Sequence, residues 1–201
     1  MPLLALLFAV FLALLTHPLP ARQSTASLTQ APPTAIPSPY PTAKPASAPT
    51  DSGPWGVAQR IGEHTYQIRV QNDDQMGTPS EILAALNTLR ARHGAQPLTS
   101  DNRLCAYAQS RAQVFESLKS TDAHAGFNDL LENQDGFTKL GYRRVGENSS
   151  YGYIMSGVHL IEFVYMQSPD HNANQLDPDW DHGCVGVAGS ATNLIFATSP
   201  L

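Results

Sequence analysis

The pattern of apolar and polar positions predicts helices first and strands last in the C-terminal part of the chain. Two consecutive segments carry apolar residues at helical spacing: Ile82, Leu83, Leu86 and Leu89, then Leu104, Ala108, Ala112 and Phe115. Two later runs, CVGVAG and TNLIFATS, are separated by Ser190 and Ala191 and predict an antiparallel hairpin. Helices followed by paired strands favour an α+β domain, which we place at residues 78–201.

Capping residues, proline and glycine indicate where the predicted helices begin and end. The segment TPSE at 78–81 combines a capping box with proline at the first helical position, and Gly94 ends that helix. A second helix begins near Asp101, two short segments at 129–134 and 138–141 predict single turns, and a further helix covers 157–167. Small residues at 108 and 112 would let another element approach the second helix closely. Upstream, the alternation in TYQIRVQ predicts a small β-hairpin within residues 55–77.

The N-terminal quarter of the chain predicts export. Within residues 1–22, the run from Leu3 to Leu15 is apolar and uncharged. It is shorter than the roughly 20 apolar residues of a membrane-spanning helix and is typical of a signal peptide, cleaved or kept as a short anchor. Residues 23–54 are rich in Pro, Ser, Thr and Ala, a composition that predicts an extended, disordered linker. We therefore expect a protein that is secreted or tethered to the outer face of the cell membrane, with membrane contact only through the N-terminal segment.

The net charge and the two cysteines limit the possible partners of the protein and indicate a covalent link within it. The formal net charge is −5 and no basic cluster occurs, which argues against a nucleic-acid partner. Cys105 and Cys184 are the two cysteines, and in an exported protein such a pair favours a disulfide over unpaired core cysteines. Closing a loop of this length contributes roughly 4 kcal/mol in the chain-entropy treatment.

A glutamate in an apolar helix requires a group that compensates its charge. The helix over 157–167 is apolar nearly all round, which indicates burial, yet it carries Glu162. A buried carboxylate needs a cation, a metal or several donors, unless it lies at the helix edge and reaches solvent. His171 follows in a polar loop beyond Pro169, His124 lies among small residues in DAHAGF, and Glu147 lies in what we interpret as a glycine-flanked bend, VGENSSYGY.

Four segments, in order, resemble the CAP superfamily in its short bacterial form (cysteine-rich secretory, antigen five and pathogenesis-related proteins; the SCP domain). They are LNTLRARHGAQPLTSDNRLCAYAQSRA, HAGF, GENSSYG and SPDHNANQLDPDWDHGCVGVA. The resemblance implies an α-β-α sandwich with a cleft that holds two histidines and two glutamates. Transferred residue by residue, the cleft tetrad is His124, Glu147, Glu162 and His171.

The chain departs from the family pattern beside the second histidine. Tyr165 stands where the family usually has tryptophan, and Asp170 and Asn172 stand where the motif has Gly and Arg. An aspartate next to His171 is expected to favour the protonated imidazole and so to weaken metal binding.

Three functions compete on this basis. The first is an extracellular binding module for a small ligand, lipid, protein or envelope component, with a divalent ion, zinc by ligand type, at His124 and His171. The second is a metal-assisted, peptidase-like hydrolase in which Glu147 is the catalytic candidate. The third is a purely structural polar network formed by the same four residues.

Overall fold

The structure, a computed structural model, describes residues 53–201. The predicted signal segment and nearly all of the predicted linker lie outside the described residues. None of the helices within 53–201 is long and apolar enough to cross a membrane.

A short antiparallel hairpin precedes the main domain. Strand β1 covers Ala58–Arg60, strand β2 covers Tyr66–Ile68, and Ala58 pairs with Ile68. This confirms the hairpin predicted within residues 55–77. It lies outside the segment that the capping box opens, so it is an addition to the α+β domain.

The first two helices begin where their capping residues predict. Helix α1 covers Pro79–Arg92, and its capping box is complete: the Thr78 Oγ1 accepts from the Glu81 backbone N–H, and the Glu81 carboxylate accepts from the Thr78 N–H at 2.8 Å. Helix α2 covers Asn102–Leu118, with the Asp101 side chain capping it. Both predicted helices are confirmed.

Two short helices replace the predicted single turns. Helix α3 covers Ala125–Asn133 and helix α4 covers Gly136–Leu140. Both are longer than predicted because Phe127 and Leu140 are buried in the core, and tertiary packing stabilises helices that are too short to form alone.

A three-stranded antiparallel sheet occupies the centre of the domain. Strands β3 (Tyr142–Tyr151), β4 (His182–Ala188) and β5 (Ala191–Pro200) lie in the order β3-β5-β4. The β4-β5 hairpin confirms the prediction. The predicted bend around Glu147 is wrong, because Glu147 lies in the middle of β3 opposite Ile195. Residues 147–150 of β3 are all polar and all buried, so the strand has no apolar alternation to reveal it.

The segment around Glu162 and His171 also differs from the prediction. Helix α5 (Gly157–His159) continues as a π-helix over Leu160–Tyr165, and a new helix, α6, covers Pro169–Leu176. His171 therefore lies in a helix and not in a loop. The segment is also not buried all round, because Phe163 is 47% exposed.

Helices cover both faces of the sheet, as the α-β-α prediction requires. On β5, Leu194 and Phe196 pack with α1 and the π-helix, whereas Ile195 and Ala197 pack with α2 and α3 on the opposite face. This is the alternation of side chains expected along a strand.

Helix α2 is fixed closely against the sheet. The predicted disulfide is confirmed, and Cys105 on α2 and Cys184 on β4 have Cα atoms 4.9 Å apart. A Cβ atom on Gly186 of β4 would lie only 2.1 Å from the Ala108 carbonyl oxygen. The small residues predicted to allow close approach therefore do so, and they bring α2 onto the strand.

Candidate functional site

A histidine–glutamate pair links the start of helix α3 to strand β3. The His124 Nδ1 lies 2.8 Å from the Glu147 Oε2; the Glu147 side chain has no exposed surface, whereas that of His124 is 20% exposed. Ala123 and His124 both have positive φ, 49° and 68°, which is uncommon for side chains with a Cβ atom. Such backbone strain clusters at functional sites, where the surrounding contacts hold it in place.

Glu147 belongs to a buried network of charges around Arg111. The Arg111 Nε donates to the Glu147 Oε1 at 2.8 Å, and its two Nη atoms donate to the Asp122 carboxylate at 2.7 and 2.8 Å. The Asn193 side-chain amide also donates to the Glu147 Oε1 at 2.8 Å. Both oxygens of Glu147 are thus engaged within the protein.

The network keeps both buried carboxylates ionised. Burial raises the pKa of Glu147, but the His124 hydrogen bond and the Arg111 charge outweigh it and hold that pKa below its usual value. Burial likewise raises the pKa of Asp122, and the Arg111 hydrogen bonds outweigh it and lower that pKa. With both oxygens bonded and no exposed surface, Glu147 is placed to orient His124 and is not placed to contact a substrate.

His171 is held from the strand side and packs on an aromatic ring. The Asn148 side-chain amide donates to the His171 carbonyl oxygen at 2.9 Å, and the Asn174 amide donates to the Asn148 Oδ1 at 2.9 Å. The Tyr165 ring meets the His171 ring edge-on, with centroids 5.2 Å apart. Helix α6 is therefore fixed to β3 through an asparagine next to Glu147.

The expected protonation of His171 is wrong. Burial, the larger effect, and the nearby His124 together lower the pKa of His171 to about 4. They outweigh Asp170, whose negative charge acts to raise that pKa. The Asp170 carboxylate instead contacts the hairpin, accepting from the Tyr66 hydroxyl at 3.3 Å and lying 3.2 Å from the His64 Nδ1. His171 is consequently a neutral imidazole at neutral pH.

Both histidines line one cavity of about 400 Å³. The hairpin forms one side of it, the segment 119–124 another, and β3, the π-helix and α6 the remainder. Its lining also includes Ala58, Ile61, His64, Ile68, Lys119, Tyr153, Val164 and Ser168. Because the hairpin contributes so much of the wall, the cavity is bounded by an element that precedes the predicted domain.

Glu162 is not part of this cavity. Its carboxylate pairs with Arg92 of α1, and its side chain is 25% exposed. Its position on a half-exposed face of the π-helix explains the difference, since a carboxylate there reaches solvent and a surface arginine. The structure therefore brings together His124, Glu147 and His171 and leaves Glu162 out.

The donor set falls short of a typical zinc site. Among residues 53–201, no group of three or more His, Cys, Asp or Glu side chains is arranged to hold a metal ion. Glu147 is already engaged by Arg111, so His124 and His171 alone remain for the predicted ion. Protein zinc sites use three or four protein ligands, so the residues do not fit that pattern and we derive no chemistry through a metal.

Several residues that build the site were missed from the sequence. Arg111, Asp122 and Asn193 complete the charge network, and Asn148 holds the helix that carries His171. Arg111 lies beside the apolar stripe of α2, next to Ala112, and Asn148 lies within the GEN motif. No pattern of spacing along the chain indicates that the two residues belong to the same site. Only the packing of α2 against β3 shows that these polar residues share one interior.

Comparison with known proteins identifies the family. The family model described as "CAP: Cysteine-rich secretory protein family" matches residues 83–198. The match covers more than half of the chain, and the fold agrees with it, so the chain belongs to the CAP family. No curated protein matches the chain.

Solved structures are similar in fold. An extracellular protein containing a SCP domain from Bacillus anthracis is 22% identical with a TM-score of 0.51, over 60% of this chain and 40% of that one. A cysteine-rich secretory protein from Staphylococcus aureus is 20% identical with a TM-score of 0.48, over 67% and 41%. An outer surface protein from Borrelia burgdorferi is 13% identical with a TM-score of 0.46, over 61% and 98%. The chain thus spans about two-fifths of the length of the first two proteins.

Proposed function

We propose that this protein is an exported binding module whose ligand, a small molecule or lipid, occupies the cavity that contains His124 and His171. The single observation that carries the proposal is the cavity itself, about 400 Å³, within the size range of small-molecule sites. Strained backbone at Ala123 and His124, which line it, supports the same conclusion. Export is supported by the N-terminal segment and by the similarity in fold to the extracellular protein from Bacillus anthracis.

The contacts favour binding over hydrolysis. Among residues 53–201, neither His124 nor His171 has a ring hydrogen bond to a Ser, Thr or Cys side chain, so no activated nucleophile of that kind is formed. Glu147, the predicted catalytic candidate, is fully covered and fully bonded. The arrangement that fits these facts is a fixed polar group at one side of a mainly apolar pocket.

The test is retention of a ligand by the full chain. Protein purified without organic solvent is extracted and analysed by mass spectrometry beside two variants. Ala58→Trp fills the cavity from the hairpin side, and Ala106→Trp places the same ring on the exposed face of α2 as a control. We expect a co-purifying small molecule in the parent and in Ala106→Trp, and its loss in Ala58→Trp.

Equal ligand content in all three proteins would refute the cavity as the binding site. The predicted zinc ion is tested separately by calorimetric titration of the full chain and of the His124→Ala, His171→Ala double variant. Uptake that is absent, or unchanged in the double variant, would agree with the incomplete set of zinc ligands, whereas uptake that the double variant loses would contradict it.

A further inference from the structure

We infer that the cavity selects an uncharged amphiphile, whose apolar body lies against the N-terminal hairpin and whose hydroxyl or amide group is bound at Ser168 and His171. The inference rests on the binding function proposed above and adds the chemical class of the ligand. Three features of the cavity support this class of ligand: an apolar wall formed by the hairpin, a hydroxyl without a partner, and basic groups that are already paired.

The hairpin supplies an apolar wall that the family-matched segment 83–198 lacks. Ala58, Ile61 and Ile68 line the cavity, and Ile61 remains 53% exposed. Val164 of the π-helix and Tyr153 line the same cavity. An aliphatic body placed against this lining would cover apolar surface, chiefly that of Ile61, that the protein itself leaves open to water.

Two contacts hold this wall in place. The Tyr153 hydroxyl lies 3.2 Å from both the backbone nitrogen and the carbonyl oxygen of Ile68. At the other end of the hairpin, Asp170 of α6 contacts His64 and Tyr66 as described above. The hairpin is therefore fixed to Tyr153, just after β3, and to Asp170, the residue before His171 on α6, and the apolar wall is part of the pocket as the protein is folded.

Ser168 is a polar group in the lining without a protein partner. The residue is 2% exposed, and its Oγ has no hydrogen-bond partner among residues 53–201. Ser168 is the N-cap of α6, yet its side chain makes no capping bond. A buried hydroxyl left unsatisfied is unfavourable, so a ligand that supplies a donor or acceptor there relieves that loss. The His171 ring, one turn along the helix and in the same lining, likewise makes no hydrogen bond within the described residues.

The basic groups that line the cavity leave no charge for an anion to meet. Lys119 is paired with Glu116, His64 with Asp170, and His124 with Glu147. Behind the wall, Arg111 faces the two carboxylates of Asp122 and Glu147, so its positive charge is also fully engaged within the protein. A carboxylate head group would bring another negative charge to this region without gaining a free cation. An alcohol or amide satisfies Ser168 without that penalty.

The experiment compares matched head groups on the full chain. Decanol, decanamide and decanoate share an alkyl chain and differ in charge; each is titrated at pH 7 after removal of any co-purified ligand. We expect decanol and decanamide to bind at least about tenfold more tightly than decanoate. In Ser168→Ala we expect decanol affinity to fall by about threefold to tenfold, the range of one hydrogen bond. Because the Ser168 side chain makes no hydrogen bond within residues 53–201, that substitution removes no hydrogen bond from the fold.

Two matched controls separate the parts of the inference. Ser110→Ala removes a hydroxyl from the exposed face of α2, and we expect decanol affinity to stay unchanged. Ile61→Asp places a charge in the hairpin wall and should weaken every probe by tenfold or more, whereas Val158→Asp, also on an exposed apolar residue, should not.

The outcomes distinguish the ligand class from the binding function. Decanoate binding as tightly as decanol, or Ser168→Ala binding decanol like the parent, overturns the selection of an uncharged head group while the cavity stays a binding site. Unchanged affinity in Ile61→Asp overturns the hairpin wall. If none of the three probes binds and the purified protein yields no extractable ligand, the proposed function itself fails.

Discussion

Replacing Arg111 with methionine tests whether the buried charge network is as interdependent as the geometry indicates. The substitution keeps most of the side-chain length but removes the cation that both Asp122 and Glu147 contact. The Arg111 side chain is 3% exposed, so solvent cannot take its place. Removing one partner from a buried ion pair costs about 3–5 kcal/mol, because the remaining charge is left uncompensated. We expect that loss in the free energy of unfolding, measured by urea denaturation at pH 7 with an unchanged m-value.

A surface arginine provides the matched control. Arg92 pairs with Glu162 at a site where its own side chain is 56% exposed. Arg92→Met should cost less than about 1 kcal/mol, as exposed ion pairs do. A loss in Arg111→Met no greater than in this control would refute the reasoning.

The pH dependence of the same loss has a definite sign. In the parent the pKa values of Asp122 and Glu147 are lowered, so their stabilisation is present above the ordinary carboxyl range and is lost as the pH falls. Without Arg111, burial is opposed only by the remaining hydrogen bonds, such as that between His124 and Glu147, so both pKa values rise above those of the parent and the two acids become neutral more readily on acidification. The difference in stability between parent and variant should therefore shrink from pH 7 to pH 5. A difference that stays constant would contradict the coupling, and adding Asp122→Asn and Glu147→Gln to Arg111→Met should restore part of the stability.

Three further predictions concern the packing and the second histidine. Replacing Cys105 and Cys184 with serine should lower the free energy of unfolding by about 4 kcal/mol, because the disulfide spans 79 positions in sequence; reduced parent protein is the control. Gly186→Ala should destabilise the fold by about 1–3 kcal/mol, because its Cβ would meet the Ala108 carbonyl, and a change within experimental error would show that α2 shifts freely. An NMR titration should give His171 a pKa of about 4. Because the unfolded chain then binds the proton at a higher pH than the folded protein does, the free energy of unfolding should fall by up to about 3 kcal/mol between pH 6.5 and 4. An ordinary imidazole pKa would contradict the burial of His171.

Local signals along the chain were sufficient for much of the fold. The capping box at Thr78, the cap at Asp101, the β4-β5 hairpin and the Cys105–Cys184 pair are all where the sequence places them. Each depends on residues within one turn, one hairpin or one residue type. Such interactions are readable without knowing what packs against them.

Strand β3 and helix α6 were not readable in that way. The strand carries a run of buried polar residues from Glu147 to Ser150, so it shows neither an apolar run nor an alternation. Helix α6 follows Pro169, a residue that marks either the end of one helix or the start of the next. In both places the deciding contacts are tertiary hydrogen bonds, such as the bond from Asn148 to the His171 carbonyl.

What the sequence determined by itself was the class of protein, and it predicted a tetrad of which three residues lie together in the structure. The family motifs identify His124, Glu147 and His171, and the structure gathers these three; Glu162 was assigned through variable spacing, and it pairs with Arg92 at the surface instead. What only the tertiary structure decided was the role of each residue. The fold pairs Glu147 with Arg111, burial keeps His171 neutral, and the hairpin forms one side of the pocket. Charge pairing, desolvation and enclosure depend on atoms that are distant along the chain.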